Sequence, residues 1–351
     1  MAAYHAIAGL PLEIDEYELE RRELDVSSGF TRVTTVVLLR GGGEEGAGED
    51  VTYAAPEHDR LRSLATGSLE LGGRWSSFDE WSRHVGGLDL FPLGEPENEV
   101  YRSYRRWGFE SAALDLALRQ AGLSLADAVG RESRPVTFVV STRLGDPPTT
   151  DRLRRWLELY PGLKFKLDAT SAWDEELVAE LQGLGCVDSI DLKAQYRGTS
   201  VDQPPDARLY RLVAEGFPDA WIEDPDVDNP ETGAVLEPHR DRITWDAIIH
   251  SVEDIEALPF PPKMLNVKPS RFGSVRALFE AYDYCDARGI DMYGGGQFEL
   301  GPGRGQIQHL ASLFHPDAPN DVAPKEYNDG GPRPGLPQSP LPPASSEPGF
   351  R

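Results

Sequence analysis

Residues 163–168 read Leu-Lys-Phe-Lys-Leu-Asp and residues 264–268 read Met-Leu-Asn-Val-Lys. Both runs alternate apolar with polar side chains at a period of two, the repeat of a strand whose faces meet different surroundings. Residues 187–194, 220–224 and 243–248, between these two runs, also read as short strands. Amphipathic helical stretches separate them, carrying Leu177, Val178, Leu181 and Leu184 in one case and Leu209, Leu212 and Val213 in another. Outward from this middle, residues 135–141 form a β-branched strand, followed by a helix with Leu153, Trp156, Leu157 and Tyr160 at i, i+3, i+4 and i+7. Residues 290–294 supply a seventh strand and residues 321–324 an eighth. Strand–helix units in such a series build a parallel sheet with right-handed crossovers, and seven or eight of them most simply close into a TIM-like (β/α)-barrel.

Barrel strands point alternate side chains inward, and barrel active sites lie at the carboxyl ends of the strands. With Leu163, Phe165 and Leu167 turned to the helices, Lys164, Lys166 and Asp168 point inward. The same alternation places Asp191 and Lys193, then Glu223, then Asp246, then Asn266 and Lys268 in one interior. Buried charges on five consecutive strands must neutralise one another or bind an ion. Asp191, Glu223 and Asp246 form an oxygen-only set from neighbouring strands, which suits Mg²⁺ with open water positions. Lys166 precedes these carboxylates along the chain and Lys268 follows them, so the two amines flank whatever the carboxylates hold. That arrangement is suited to proton abstraction. Lys164, as a second ammonium close by, is expected to lower the pKa of Lys166. Only six of the 35 basic residues are Lys, and lysine, unlike arginine, can lose its proton.

The run Lys164-Phe165-Lys166, Asp191, Trp221-Ile222-Glu223-Asp224-Pro225, Asp246 and Asn266-Val267-Lys268-Pro269-Ser270-Arg271-Phe272-Gly273 resembles the enolase superfamily, in particular its muconate-lactonising branch. The resemblance covers residues 10–325. It implies a (β/α)-barrel with an N-terminal α+β capping domain, and Mg²⁺ held by Asp191, Glu223 and Asp246. Lys166 and Lys268 would then act as acid and base around an enolate of a small carboxylate substrate, ending in racemisation, epimerisation, cycloisomerisation or β-elimination. Asn266, Glu299 and Lys193 are the substrate-binding candidates. Two positions depart from the family pattern: Lys193 stands where Asn is common, and Ala247 where an acidic residue usually follows the fifth-strand ligand. Leu167-Asp168-Ala169-Thr170 also resembles the third-strand motif one unit early, but Asp168 lies two units before Glu223, which favours Asp191. A Schiff-base aldolase on Lys268 or Lys193 and a catalytically degenerate, ligand-binding barrel remain as alternatives.

The remaining sequence divides into a capping domain (1–130), a barrel (131–325) and a Pro-rich tail (326–351), with eight Pro from residue 324 on. Residues 18–26 and 32–39 form a hairpin or meander joined by Ser27-Ser28-Gly29 and ended by the Gly-rich stretch 41–50, and a helix spans about 99–121. The tail reads as an extended or disordered extension. A formal charge of −24 excludes a nucleic-acid backbone or an anionic membrane surface as partner. Two cysteines, Cys186 and Cys285, without a disulfide framework fit a reducing cytoplasm. No signal peptide or membrane span is expected. A symmetric homo-oligomer is the natural candidate for assembly. His250 reads as a helix-capping neighbour, and Gly294-Gly295-Gly296 as a run that shapes a loop.

Overall fold

In the computed structural model, which describes residues 2–351 apart from 27, 28, 66, 200, 329 and 330, strands are labelled in chain order. They are β1 (Leu12–Ile14), β2 (Glu16–Val26), β3 (Phe30–Gly41), β4 (Glu44–Asp50), β5 (Gly73–Trp75), β6 (Val140–Thr142), β7 (Phe165–Asp168), β8 (Val187–Asp191), β9 (Trp221–Glu223), β10 (Ile243–Thr244), β11 (Met264–Val267) and β12 (Asp291–Gly294). The β-branched run of β3 makes it the centre of an antiparallel β2-β3-β4 meander. Two of the residues expected to join β2 and β3, Ser27 and Ser28, lie outside the described residues. The Gly-rich stretch does not end the meander. It becomes β4, because Gly46 and Gly48 let the strand lie directly on the helix Val100–Ala121, where a Cβ would collide with the backbone of Ala112 and Gly108. Small residues here serve close approach between elements.

After this antiparallel part, strands alternate with helices as the periodicity predicts. The parallel sheet β6-β7-β8-β9-β10 contains one strand from each successive unit, and β11 pairs in parallel with β12. The strands are shorter than predicted: the fifth ends at Thr244, and the first is a regular strand only over Val140–Thr142. The regular ladders form a five-stranded and a two-stranded piece, not one continuous closed sheet. Isolated hydrogen bonds link their edges. Asn266 N–H donates to the Trp245 carbonyl (3.1 Å), Asp321 N–H to that of Gly294 (2.8 Å), and Val139 N–H to that of Asn320 (2.9 Å). The predicted eighth strand is thus reduced to isolated bridges at Asn320 and Asp321.

Buried polar groups join the antiparallel part to the loop after β12. Glu49 accepts from the N–H groups of Leu300 (2.7 Å), Gly301 (2.9 Å) and Gly303 (3.0 Å) at the start of the helix Pro302–Phe314. A carboxylate is favoured at that end of a helix. Arg32, also fully buried, donates to the carbonyls of Gln297 (3.2 Å) and Thr52 (2.6 Å).

The tail runs extended, as its proline content dictates, but it is packed against the fold. Leu341 exchanges two hydrogen bonds with Val136 (2.8 and 3.0 Å). Phe350 has no exposed surface and sits edge-on to Trp107 and beside His309, while its N–H donates to Asp115 (2.7 Å). Removing a buried aromatic ring costs about 3–5 kcal/mol. Phe350→Ala is therefore expected to lower the urea midpoint of the whole chain by an equivalent amount, and an unchanged midpoint would contradict this packing.

His309 and His315 are buried, and burial pushes both down to about 4 from the ordinary 6.5. Neither nitrogen of His309 has a hydrogen-bond partner. Since the unfolded chain takes up protons at these sites that the fold refuses, stability is expected to fall as pH drops from 6.5 to 4, on the order of 1 kcal/mol per pH unit for each. His309→Phe should flatten that slope in pH-dependent unfolding, and an unaltered slope would exclude the assignment.

Candidate active site

Each of the five central units brings a charged side chain to one point. Lys166 extends from β7 and Asp191 ends β8; Glu223 ends β9, while Asp246 and Lys268 lie just beyond β10 and β11. Asp191, Glu223 and Asp246 have no exposed surface, and Lys166 and Lys268 are buried. Lys166 Nζ donates to Glu223 Oε1 and lies 3.6 Å from both Asp191 and Asp321. Lys268 Nζ donates to Asp246 Oδ2 at 2.8 Å. Asn266 Nδ2 (3.2 Å) and the Tyr293 hydroxyl donate to the second oxygen of Glu223. Tyr196 (2.9 Å) and Arg271 (3.3 Å) add their donors to Asp246 Oδ2. Lys193 Nζ donates to Asp191 Oδ2 and stands 3.4 Å from Asp168. The structure thus brings together Lys166, Asp191, Glu223 and Asn266 from the strands and Lys193, Asp246 and Lys268 from just past strand ends.

One expectation needs correction. Lys164 is exposed, and its Nζ bonds the Gly185 carbonyl (2.8 Å), because it precedes β7 and its long stem carries the ammonium out to water. It cannot lower the pKa of Lys166. Burial alone would depress the Lys166 pKa, but Glu223, Asp191 and Asp321 outweigh it and hold the ammonium well above the usual lysine range. Glu299 Oε1 accepts from the Gln297 N–H (2.6 Å) and Oε2 pairs with Arg304 (2.9 Å). Among the described residues, Asp191, Glu223 and Asp224 offer carboxylate oxygens within 4.8 Å of one another, which sets Asp224 beside the expected ligands. The three donors on Asp246 Oδ2 hold that oxygen.

Asp224 was hidden by the same alternation that reveals Glu223, since adjacent residues of a strand face opposite ways. The chain leaves the strand at Asp224, whose φ of 49° is in the left-handed region and turns the side chain back. Its two oxygens then accept the N–H groups of Asp246 (2.8 Å) and Ala247 (2.9 Å). Burial, then the charges of Asp246 and Asp191, push its carboxyl up to about 7. Lys193 and Lys166 overcome burial to hold Asp191 down at about 2. Tyr196, Arg271, Tyr293 and Asp321 also escaped sequence reasoning; Arg271 stood in a quoted motif, whereas nothing in the spacing marks the others.

These donors fit a hard divalent cation. They are all oxygens, three of them converge, and the buried Asp246 Oδ1 has no hydrogen-bond partner. Towards the antiparallel part, Gln297 accepts from Tyr53 (2.9 Å) and donates to Tyr104 (3.1 Å). Phe30 packs against Tyr53 and Phe298.

Two family profiles, described as the N-terminal and C-terminal domains of a domain of unknown function (DUF8230), match residues 5–128 and 132–329. The chain belongs to the DUF8230 family. This DUF8230 chain is 30% identical over 228 residues to an o-succinylbenzoate synthase of Bacillus subtilis (strain 168), a match spanning 62% of the chain and 58% of that relative. It is 26% identical over 329 residues to an N-succinylamino acid racemase of Thermus thermophilus, covering 90% of the chain and 85% of the relative. Among solved structures it is similar to a muconate cycloisomerase from Pseudomonas fluorescens, with a TM-score of 0.72 and 18% identity over 97% of this chain and 96% of that one. A member of the enolase superfamily from Listeria innocua Clip11262 is also similar, with a TM-score of 0.68 and 18% identity over 97% and 94% of the two chains. The resemblance read from Lys166, the carboxylates and Lys268 is borne out.

Breaking a buried ion pair by removing one partner costs about 3–5 kcal/mol. Lys166→Met is expected to destabilise the metal-free chain by that amount in urea unfolding. A loss below about 1 kcal/mol would mean that Glu223 and Asp191 do not depend on this ammonium.

Proposed function

We propose that this chain is a Mg²⁺-dependent isomerase or lyase that removes the proton from the carbon next to a carboxylate, giving an enolate that collapses by racemisation, epimerisation, cycloisomerisation or β-elimination. The observation that carries this reading is the placement of two buried lysines, Lys166 and Lys268, on different carboxylates of one cluster. Relatives named as a synthase of o-succinylbenzoate and a racemase of N-succinylamino acids support it.

The fold is read as a barrel closed by isolated hydrogen bonds, among them those at Asn266, Asp321 and Val139, with the antiparallel part over its carboxyl ends. Asp191, Glu223 and Asp224 would hold the ion, and the free Oδ1 makes Asp246 a further ligand candidate. When bound, Mg²⁺ supplies positive charge against the charge developing on the substrate carboxylate and against the ammonium form of Lys166. The chain's own groups do the rest. Lys166 exchanges a proton at one face of the acidic carbon, and Lys268 serves the opposite face. Asn266 and Tyr293 keep Glu223 oriented, while Arg271 and Tyr196 keep Asp246 in place. Burial of the cluster excludes water that would otherwise compete for these protons. The half-exposed Phe30 and Tyr53 present apolar surface to the remainder of a small carboxylate substrate. Both lysines named for a Schiff-base mechanism, Lys268 and Lys193, are held by carboxylates as ammonium donors, which disfavours a free nucleophilic amine. No helix among the described residues is long and apolar enough to cross a membrane, and the two cysteines are buried and unpaired; a cytoplasmic homo-oligomer is the matching setting.

The test is exchange of the α-proton in deuterated water, screened by mass spectrometry over N-acylamino acids and other carboxylates. Exchange should require Mg²⁺ and stop on treatment with EDTA. Lys166→Ala and Lys268→Ala should each reduce it by at least about 100-fold, the usual worth of a positioned acid or base. Full exchange in either variant, or in EDTA, would refute the reading.

A further inference from the structure

Lys193 lies two residues past the end of β8, with a φ of 56°, a backbone conformation in which non-glycine residues are uncommon and which marks a constrained position. That turn lets one residue occupy both oxygens of Asp191. Its N–H donates to Oδ1 at 2.9 Å, and its Nζ donates to Oδ2. The same Nζ stands 3.4 Å from Asp168 Oδ1, whose partner oxygen accepts from Arg143 at 2.9 Å. The ammonium therefore has two carboxylate seats, one inside the cluster and one beside it.

Charge makes the inner seat important. Asp191, Glu223, Asp224 and Asp246 have no exposed surface, and the cations touching them or their partners are Lys166, Lys193, Lys268 and Arg271. Asp191, Glu223 and Asp246 thus each carry at least one resident cation before any ion arrives. A dication entering there meets these resident cations, and the ammonium on Asp191 Oδ2 has an alternative carboxylate, Asp168, 3.4 Å away.

We propose that Lys193 is a resident counter-cation that competes with the divalent metal for Asp191, and that metal binding moves its ammonium onto Asp168. The inference rests on the reading of Asp191 as a metal ligand. It makes Lys193 a positioning residue that sets the affinity of the site for its ion and keeps Asp191 paired when the ion is absent.

The experiment titrates the metal-stripped full chain with Mn²⁺ and follows the free ion by electron paramagnetic resonance, which needs no substrate. Lys193→Met keeps the length of the side chain and deletes its charge, and it should bind Mn²⁺ at least about tenfold more tightly than the natural chain, as removal of a nearby like charge in a buried site requires. Lys193→Arg, which keeps the charge, should bind no more tightly than the natural chain. Asp168→Asn removes the outer seat and should weaken binding, with a smaller effect in the Lys193→Met background if the ammonium carries the coupling. One Mn²⁺ bound by the natural chain with unchanged or weaker affinity in Lys193→Met overturns the competition and leaves the metal site standing. No binding by either protein overturns both readings. If Lys193→Met does not fold, Asp168→Asn decides: an affinity equal to that of the natural chain overturns the proposal.

Discussion

Four carboxylates sealed from water set the terms for the rest of this structure. An unpaired charge in such a place costs several kcal/mol, so each one dictates who its neighbours are. Glu223 requires Lys166, Asn266 and Tyr293, drawn from three other strands. Asp246 requires Lys268, Arg271 and Tyr196. Asp224 uses the backbone N–H groups of Asp246 and Ala247, and this pins the chain just after β10 at the height of the cluster. Short strands follow from the same demand. A strand such as β10 needs only two regular residues because hydrogen bonds from its end go to side chains of the site and not to a longer ladder.

That dependence explains how much was legible beforehand. A charge that alternates with apolar residues on a strand flanked by helices has one place to go, so Lys166, Asp191, Glu223, Asp246 and Lys268 could be placed from spacing alone. Alternation fails where the chain stops being a strand. Asp224 follows Glu223 directly and should face away, and only the left-handed turn at its own backbone brings it back. Lys164 fails for a different reason: it is in phase with Lys166 but sits before the strand, and a four-carbon stem reaches solvent more cheaply than it shares a buried site. β4 was hidden because its glycines, which read as a strand terminator, serve contact with the helix Val100–Ala121. The tail's packing was unreadable because proline content dictates an extended backbone without saying what a terminal Phe350 will touch.

The antiparallel part is coupled to the site through groups far from it in sequence. Glu49 caps the helix Pro302–Phe314 and Arg32 grips the Gln297 carbonyl, so both ends of the loop 297–303 are tied to the meander. Within that loop Phe298 has a φ of 56°, a conformation unfavourable for a bulky side chain that persists only when the surroundings over-determine it. Glu49 and Arg32, one at each end of the loop, supply that determination. The loop also carries Glu299, whose carboxylate is spent on Gln297 and Arg304. An acidic residue in the loop after a strand can therefore be conformational equipment.

A cluster paired with its own lysines has a consequence for how such a site works. The ammonium that neutralises Glu223 in the resting fold is the amine expected to exchange a proton with substrate, so stability and reactivity draw on the same contact. Lys166 is held above its usual pKa while those carboxylates face it, and it can act as a base only when they are otherwise engaged. Lys268 is tied to Asp246 by a single 2.8 Å bond, to an oxygen that Tyr196 and Arg271 also hold. The two lysines are thus unequally bound: Lys166 leans on three carboxylates and Lys268 on one. Freeing Lys268 therefore costs the fold less than freeing Lys166.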